Sequence, residues 1–455
     1  MDLMKINVLS RSARTLAASA MAASLLVAGA PAAAQAASLA DLPTYILASV
    51  QTGGGKASSC AGILCGVHFF DPSVSDDGRF TVFSSNADDL VPGDTNHSMD
   101  VFLRDSVEDV TTRISVSSTG QEGSGDSSWS NRPSMSADGR YIAFMSGAVG
   151  LVPEDTNNAA DVFLRDAVSG VTTRVSLTGD GEQIPQGVRQ GKLSSDGRFV
   201  VFETVGRLAA SDTDDEADVY LRELATGRTV RVSESYDGQP LRLPVSRPRE
   251  FKSLAVTSGG RHVVFSSEVE NLVPGDTNDG EDVFVCDVAA GTTVRASVTD
   301  SGEEIAGYSD MPSMSANGRY VAFLGRRDNI VPGVKGREIY VRDLVEKTTT
   351  LASVRGIEPM RGAYVGVNIS PDGRYLALTA AVKNSNQFDI YIRDLRDRIT
   401  RVASVSHNGG ALTGDSSSAK FSANSRHLAF RSKAPYLLEG DGSGGEQVYV
   451  RLNVS

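Results

Sequence analysis

Ser136-Ala137-Asp138-Gly139-Arg140-Tyr141-Ile142-Ala143-Phe144 reads as a hydroxyl residue, a tight turn, an arginine and a β-rich run. Asp138-Gly139 supplies the turn, since glycine tolerates the positive φ that a hairpin demands. The signature recurs at Ser75…Gly78-Arg79, Ser194…Gly197-Arg198 and Thr257…Gly260-Arg261. It continues at Ser315…Gly318-Arg319, Ser370…Gly373-Arg374 and Ser422…Ser425-Arg426. The arginines are 61, 58, 63, 58, 55 and 52 residues apart, a period that marks a propeller or an array of supersecondary units.

Each unit resolves into four short strands. In the second, Pro133–Ser136 is strand A, Tyr141–Met145 strand B, Asp161–Arg165 strand C and Thr172–Ser176 strand D. Strands B and C are near-continuous apolar runs, which calls for cover on both faces. Radially stacked blades provide that cover. The fold class expected is therefore all-β: a seven-bladed propeller of four-stranded antiparallel blades. The blades fall near residues 71–117, 132–177, 190–234, 252–298, 311–354, 366–405 and 419–452. Strand D is read at Arg113-Ile114-Ser115-Val116 and at five later copies (Arg174, Arg231, Arg295, Leu351, Val402), six in all for seven A–B–C sets. The missing copy is Ile46-Leu47-Ala48-Ser49-Val50, so residues 44–50 are expected to complete the last blade and close the ring.

Around this core the composition is that of a globular chain. Of 455 residues, 40 % are hydrophobic and 22 % charged, and the formal net charge of −12 argues against a nucleic-acid partner. Residues 1–36 read as an export signal: Lys5, Arg11 and Arg14 precede an uncharged run from Thr15 to Ala30, and Ala34-Gln35-Ala36 offers small residues for cleavage. The address expected is the bacterial periplasm or the outside of the cell, with no transmembrane segment after cleavage near Ala36. In that compartment Cys60 and Cys65 are expected to form a local disulfide, and Cys286, inside an apolar strand, to stay a buried free thiol.

The S-x-D-G-R-x-x-x-F and D-V-F-x-R-D elements resemble the TolB-like, WD-repeat-related propeller repeats over almost all of residues 37–455. The resemblance implies the propeller without the α/β domain that TolB carries before it. A docking role in the cell envelope would follow only by analogy.

The B–C loops hold the most unusual motif. Asp94, Asn96 and Asp100 in blade 1 recur as Asp155, Asn157 and Asp161, then Asp212, Asp214 and Asp218, then Asp276, Asn278 and Asp282. Oxygens at positions 1, 3 and 7 of a turn can converge on calcium, which takes ~6–8 oxygen ligands. They can equally cap the turn through side-chain to backbone hydrogen bonds. The motif decays in blades 5 to 7. His262 and His427 stand where other blades carry Phe or Tyr and read as packing residues. The repeat arginine is expected to pair with the acid ending strand C (Asp105, Asp166, Glu223, Asp287, Asp343, Asp394).

The D–A loops vary most and carry Trp129, Tyr236, Tyr308, Tyr364 and His407, candidates for a ligand-facing surface. No catalytic residue is assigned. Two functions fit: a monomeric, non-catalytic scaffold binding an envelope protein or a glycan, or a carbohydrate-active lyase or hydrolase on the funnel face. Paired carboxylates or histidines around the channel would favour the second.

Overall fold

Gly139 has φ +76°, and a Cβ there would lie 2.5 Å from the Phe80 ring of the preceding unit. Glycine thus answers a backbone and a packing demand at one position. The same contact joins Gly318 to His262 and Gly78 to His427, which places both histidines as inter-blade packing residues.

The computed structural model describes residues 44–57, 68–124, 132–243, 250–326, 330–353, 364–382, 387–441 and 445–454. The chain divides into 1–41 and 42–455, and everything described lies in the second unit. That unit holds seven four-stranded antiparallel sheets. Blade 1 runs β2 (Phe69–Val74), β3 (Phe80–Ser85), β4 (Asp100–Asp105) and β5 (Val110–Arg113) in order, from channel to rim. Blade 2 repeats it with β6 (Ser134–Met135), β7 (Tyr141–Ser146), β8 (Asp161–Asp166) and β9 (Val171–Arg174).

The last blade has the order β1 (Thr44–Leu47), β28 (Gln447–Leu452), β27 (Leu428–Ser432), β26 (Ser416–Phe421). Ile46 pairs with Val450, so the N-terminal strand closes the ring as expected. Strand D differs in position. It ends at Arg113 and not at Val116, and β1 ends at Leu47 and not at Val50. The reason is Ser115: its hydroxyl bonds the Asp100 carboxylate and accepts the Val101 N–H, so Ile-Ser-Val leaves the ladder to cap strand C. Ser49 does the same to Gln447 and Val448.

The apolar runs of strands B and C bury both faces. On each B–C pair two large side chains face one another in register, as with Phe83 and Phe102 or Phe430 and Tyr449, ring centroids about 6.0 Å apart. Such aromatic pairs add ~0.5–1.5 kcal/mol each beyond burial. Cores form between blades: Val82 and Val101 of blade 1 pack with Ile142 and Phe163 of blade 2. The A–B turns link around the inner rim, with Asp76 N–H donating to Ala137 O, Ala137 N–H to Ser195 O, and Asn424 N–H returning to Asp76.

Candidate functional site: the loop clusters and the central channel

The repeat arginine and the strand-C acid meet in all six expected blades. Arg79 grips Asp105 through two bonds of 2.8 and 2.6 Å, and the pairs at Asp166, Glu223, Asp287, Asp343 and Asp394 follow. In five blades the guanidinium also lies over the next aromatic ring. The repeat hydroxyl is a turn-former: Ser75 Oγ donates to Asp77 and accepts the Phe80 N–H.

The four B–C loop triplets converge, each around a guanidinium from the end of strand D. In blade 1 Arg113 Nη1 lies 2.9 Å from Asp94, 3.6 Å from Asp100 and 2.8 Å from Glu122. In blade 2 Arg174 lies 3.0 Å from Asp155 and 3.3 Å from Asp161. In blade 4 Arg295 lies 3.1 Å from Asp276, 3.2 Å from Asp282 and 2.6 Å from Glu304. The middle residue makes an Asx-turn in every case: Asn96 accepts Ser98 N–H, Asn157 Ala159 N–H, Asp214 Glu216 N–H and Asn278 Gly280 N–H. Asn157 and Asn278 also turn their amide nitrogens toward Asp161 and Asp282.

Blade 3 departs from this. Arg231 reaches Asp218 at 2.9 Å, while Asp212 accepts the Tyr220 hydroxyl at 2.6 Å and keeps a second, buried oxygen with no hydrogen bond. Asp212, Asp214 and Asp218 present carboxylate oxygens within 4.8 Å of one another. Blades 1 and 4 carry a surplus of buried carboxylate. Burial, then the neighbouring Asp100, pushes Asp94 up to about 7. Burial, then Asp282, does the same to Asp276, also to about 7.

Arg113, Arg174, Arg231 and Arg295 were legible as repeat positions, but their charge partners were not read. The signal lay inside the repeats. Blades 5 and 6, where the loop acids decay, carry Leu351 and Val402 in the arginine's place. Glu122, Gln183 and Glu304 were missed as well. Each accepts hydrogen bonds from the threonine beside the first loop Asp (Thr95, Thr156, Thr277), tying the D–A hairpin to the B–C loop.

Of the loop aromatics, Tyr236 and Tyr308 are 53 % and 47 % exposed. His407 is half-buried, its backbone N–H and ring Nδ1 both on Tyr436 O. Tyr364 corrects the expectation: it opens the inner strand of blade 6, Tyr364–Ile369, and is buried with Leu378 and Tyr391. Its ring is core because the strand begins at Tyr364, two residues before the expected start of blade 6 near residue 366. Trp129, Cys60 and Cys65 lie outside the described residues. Cys286 is a buried free thiol, pushed up to about 11 by burial.

The inner strands enclose a channel of about 920 Å³. Arg132, Lys192, Lys420 and Arg431 line one side of it, on blades 2, 3 and 7, with Asp71 of blade 1 among them. Lys420 Nζ is 3.9 Å from Asp71, Lys192 Nζ donates to Arg132 O at 3.2 Å, and Arg431 lies over the Phe70 ring. Burial would raise Asp71, but Lys420, Lys192, Arg132 and Arg431 together hold it below the usual carboxylate range.

No protein-family model matches this chain, and no curated protein does. Among solved structures it is similar to the β-propeller domain of the Trilobed protease from Pyrococcus furiosus, at 11 % identity and TM-score 0.52, over 86 % of this chain and 94 % of that one. It is similar to an oligogalacturonate lyase in complex with manganese, at 13 % identity and TM-score 0.50, over 87 % and 98 %. TolB from Acinetobacter baumannii matches at 13 % identity and TM-score 0.38, over 66 % of this chain and 58 % of TolB's length. At such identities the likeness is one of fold. The chain is a β-propeller of seven four-stranded blades, and its repeats resemble those of TolB-like propellers.

Proposed function

We propose that this chain is an exported, non-catalytic scaffold whose central channel holds a protein segment or a glycan, in the bacterial envelope or outside the cell. The observation that carries the reading is the state of Asp71. It is the one carboxylate among the described channel-lining residues, and four cations keep it ionised. A carboxylic general acid needs a raised pKa, the reverse of what Asp71 shows. The rim fits a binding role too, with Tyr236 and Tyr308 on loops fixed by a rigid ring. Among the described residues no helix is long and apolar enough to cross a membrane.

The enzymatic alternative starts at His68 and Glu446, 3.7 Å apart beside the inner strand of blade 1. The test is a pull-down of the protein from envelope extract, with and without calcium, beside an assay for release of unsaturated or reducing ends from acidic and neutral oligosaccharides. A retained partner with no turnover supports the scaffold. Turnover abolished by His68→Ala would replace it with the enzyme.

A further inference from the structure

The channel wall is two-sided. Arg132, Lys192, Lys420 and Arg431 occupy blades 2, 3 and 7, against Asp71 and, behind Arg431, Glu446 at 3.4 Å. Two carboxylates therefore face four cations, in a chain whose net charge is −12. The opposite wall, on blades 4 to 6, presents half-buried Val256, Met314 and Val367. Charges at that side are matched close by: Lys252 with Glu281 and Arg326 with Asp310. The cationic surplus is thus confined to one wall.

Resting on the scaffold reading, we infer that the channel binds an acidic peptide segment in extended form, its carboxylates on Lys192, Lys420 and Arg132 and its apolar side chains on Val256, Met314 and Val367. Successive side chains of an extended strand point to opposite sides, so a segment alternating acidic and apolar residues meets both walls at once. Charge complementarity selects the acid: one more carboxylate near Lys192 and Lys420 relieves the repulsion between them, and the enclosed wall screens it less than open water would. The apolar wall selects peptide over sugar. Sugar hydroxyls set directly over Val256, Met314 and Val367 would find partners only at the interspersed Ser253, Ser313 and Asn368. Lys192 is itself pushed down to about 7, by burial first and then by Lys420 and Arg132, with Asp71 opposing.

The probe is a short fluorescent peptide alternating Glu and Leu, compared with its Gln/Leu counterpart, a Glu/Ser counterpart and an oligogalacturonate, all titrated into the full-length mature protein. The Glu/Leu peptide is expected to bind at least about tenfold more tightly than either peptide counterpart, and Lys192→Met/Lys420→Met to remove that preference. The melting temperature of the double variant reports that the ring is intact, and Lys192→Arg keeps the charge as a second check. Equal binding of Glu/Leu and Gln/Leu peptides, or a preference that survives the double variant, overturns the inference while leaving the scaffold reading to its pull-down. Tighter binding of the oligogalacturonate at the same lysines makes the occupant an acidic glycan and overturns the peptide.

Discussion

Arg295 Nη1 stands 3.1 Å from the carboxylate of Asp276, in a pocket that also buries Asp282. This contact explains a loop that the spacing alone left open between a cation site and a turn. A guanidinium from the same blade fills the space between the acids in blades 1, 2 and 4; in blade 5, where Leu351 replaces the arginine, Val334 stands at the first acid, and in blade 7, where Leu47 replaces it, Asp441 pairs with Lys56 instead.

Replacing Arg295 by Met should therefore destabilise the protein by ~3–5 kcal/mol, the cost of stranding buried carboxylates without their counter-charge. Adding Asp276→Asn to that variant should recover part of the loss, because it removes one of the stranded charges. Chemical denaturation of the two variants checks this. A single Arg295→Met as stable as the parent would show that the guanidinium is incidental.

The pH dependence follows from the same pocket. Asp94 and Asp276 rise from 3.8 to about 7 on folding. Between those values the native state binds more protons than the unfolded one, so these two groups lower stability as pH rises through that window. Asp276→Asn should flatten this decline, seen as a smaller loss of melting temperature between acidic and neutral pH. Asp105, held low first by its hydrogen bonds from Arg79, works in the opposite sense and loses its contribution as pH falls below the ordinary carboxylate range.

Ring closure rests on few residues. Tyr45 donates its hydroxyl to Ala403 O at 2.6 Å, and Ser49 to Gln447 at 2.6 Å, both buried. Deleting residues 37–52 should lower the melting temperature greatly, since it exposes the outer edge of the last blade and uncovers its core. Tyr45→Phe should cost less, about 1–3 kcal/mol, since Ala403 O keeps Arg451 while the Val405 N–H loses the hydroxyl it donates to. A deletion variant as stable as the parent would remove the N-terminal strand from the ring.

The seven-blade count and the closing strand were legible because each depends on period and apolar run, properties local to one repeat. The six Arg–acid pairs were legible for the same reason: Arg79 and Asp105 hold fixed repeat positions. The channel was not. Lys192 and Lys420 stand 228 residues apart in the sequence at positions without a shared motif, and only the curvature of the ring brings them together. Tyr364 failed for a related reason, as strand A of blade 6 begins in a variable segment where no repeat marks its start.

Calcium tests what remains of the cation reading. In blades 1, 2 and 4 an ion would have to displace Arg113, Arg174 or Arg295, and Asn157 and Asn278 turn nitrogen, not oxygen, toward the third acid. Blade 3 is the place an ion would choose, because all three positions are carboxylates and Asp212 keeps an unpaired buried oxygen. Arg231 already neutralises Asp218 there, however, at 2.9 Å. Millimolar calcium is therefore expected to leave the melting temperature where the chelated protein has it, at matched ionic strength. An ion that bound the native state alone would raise stability by about 2.7 kcal/mol at a hundredfold excess over its dissociation constant, which a melting curve resolves. A calcium-dependent rise in the parent that disappears in Asp212→Asn/Asp214→Asn would place an ion in blade 3, with Arg231 displaced. A rise that persists in that variant would put the ion elsewhere in the ring.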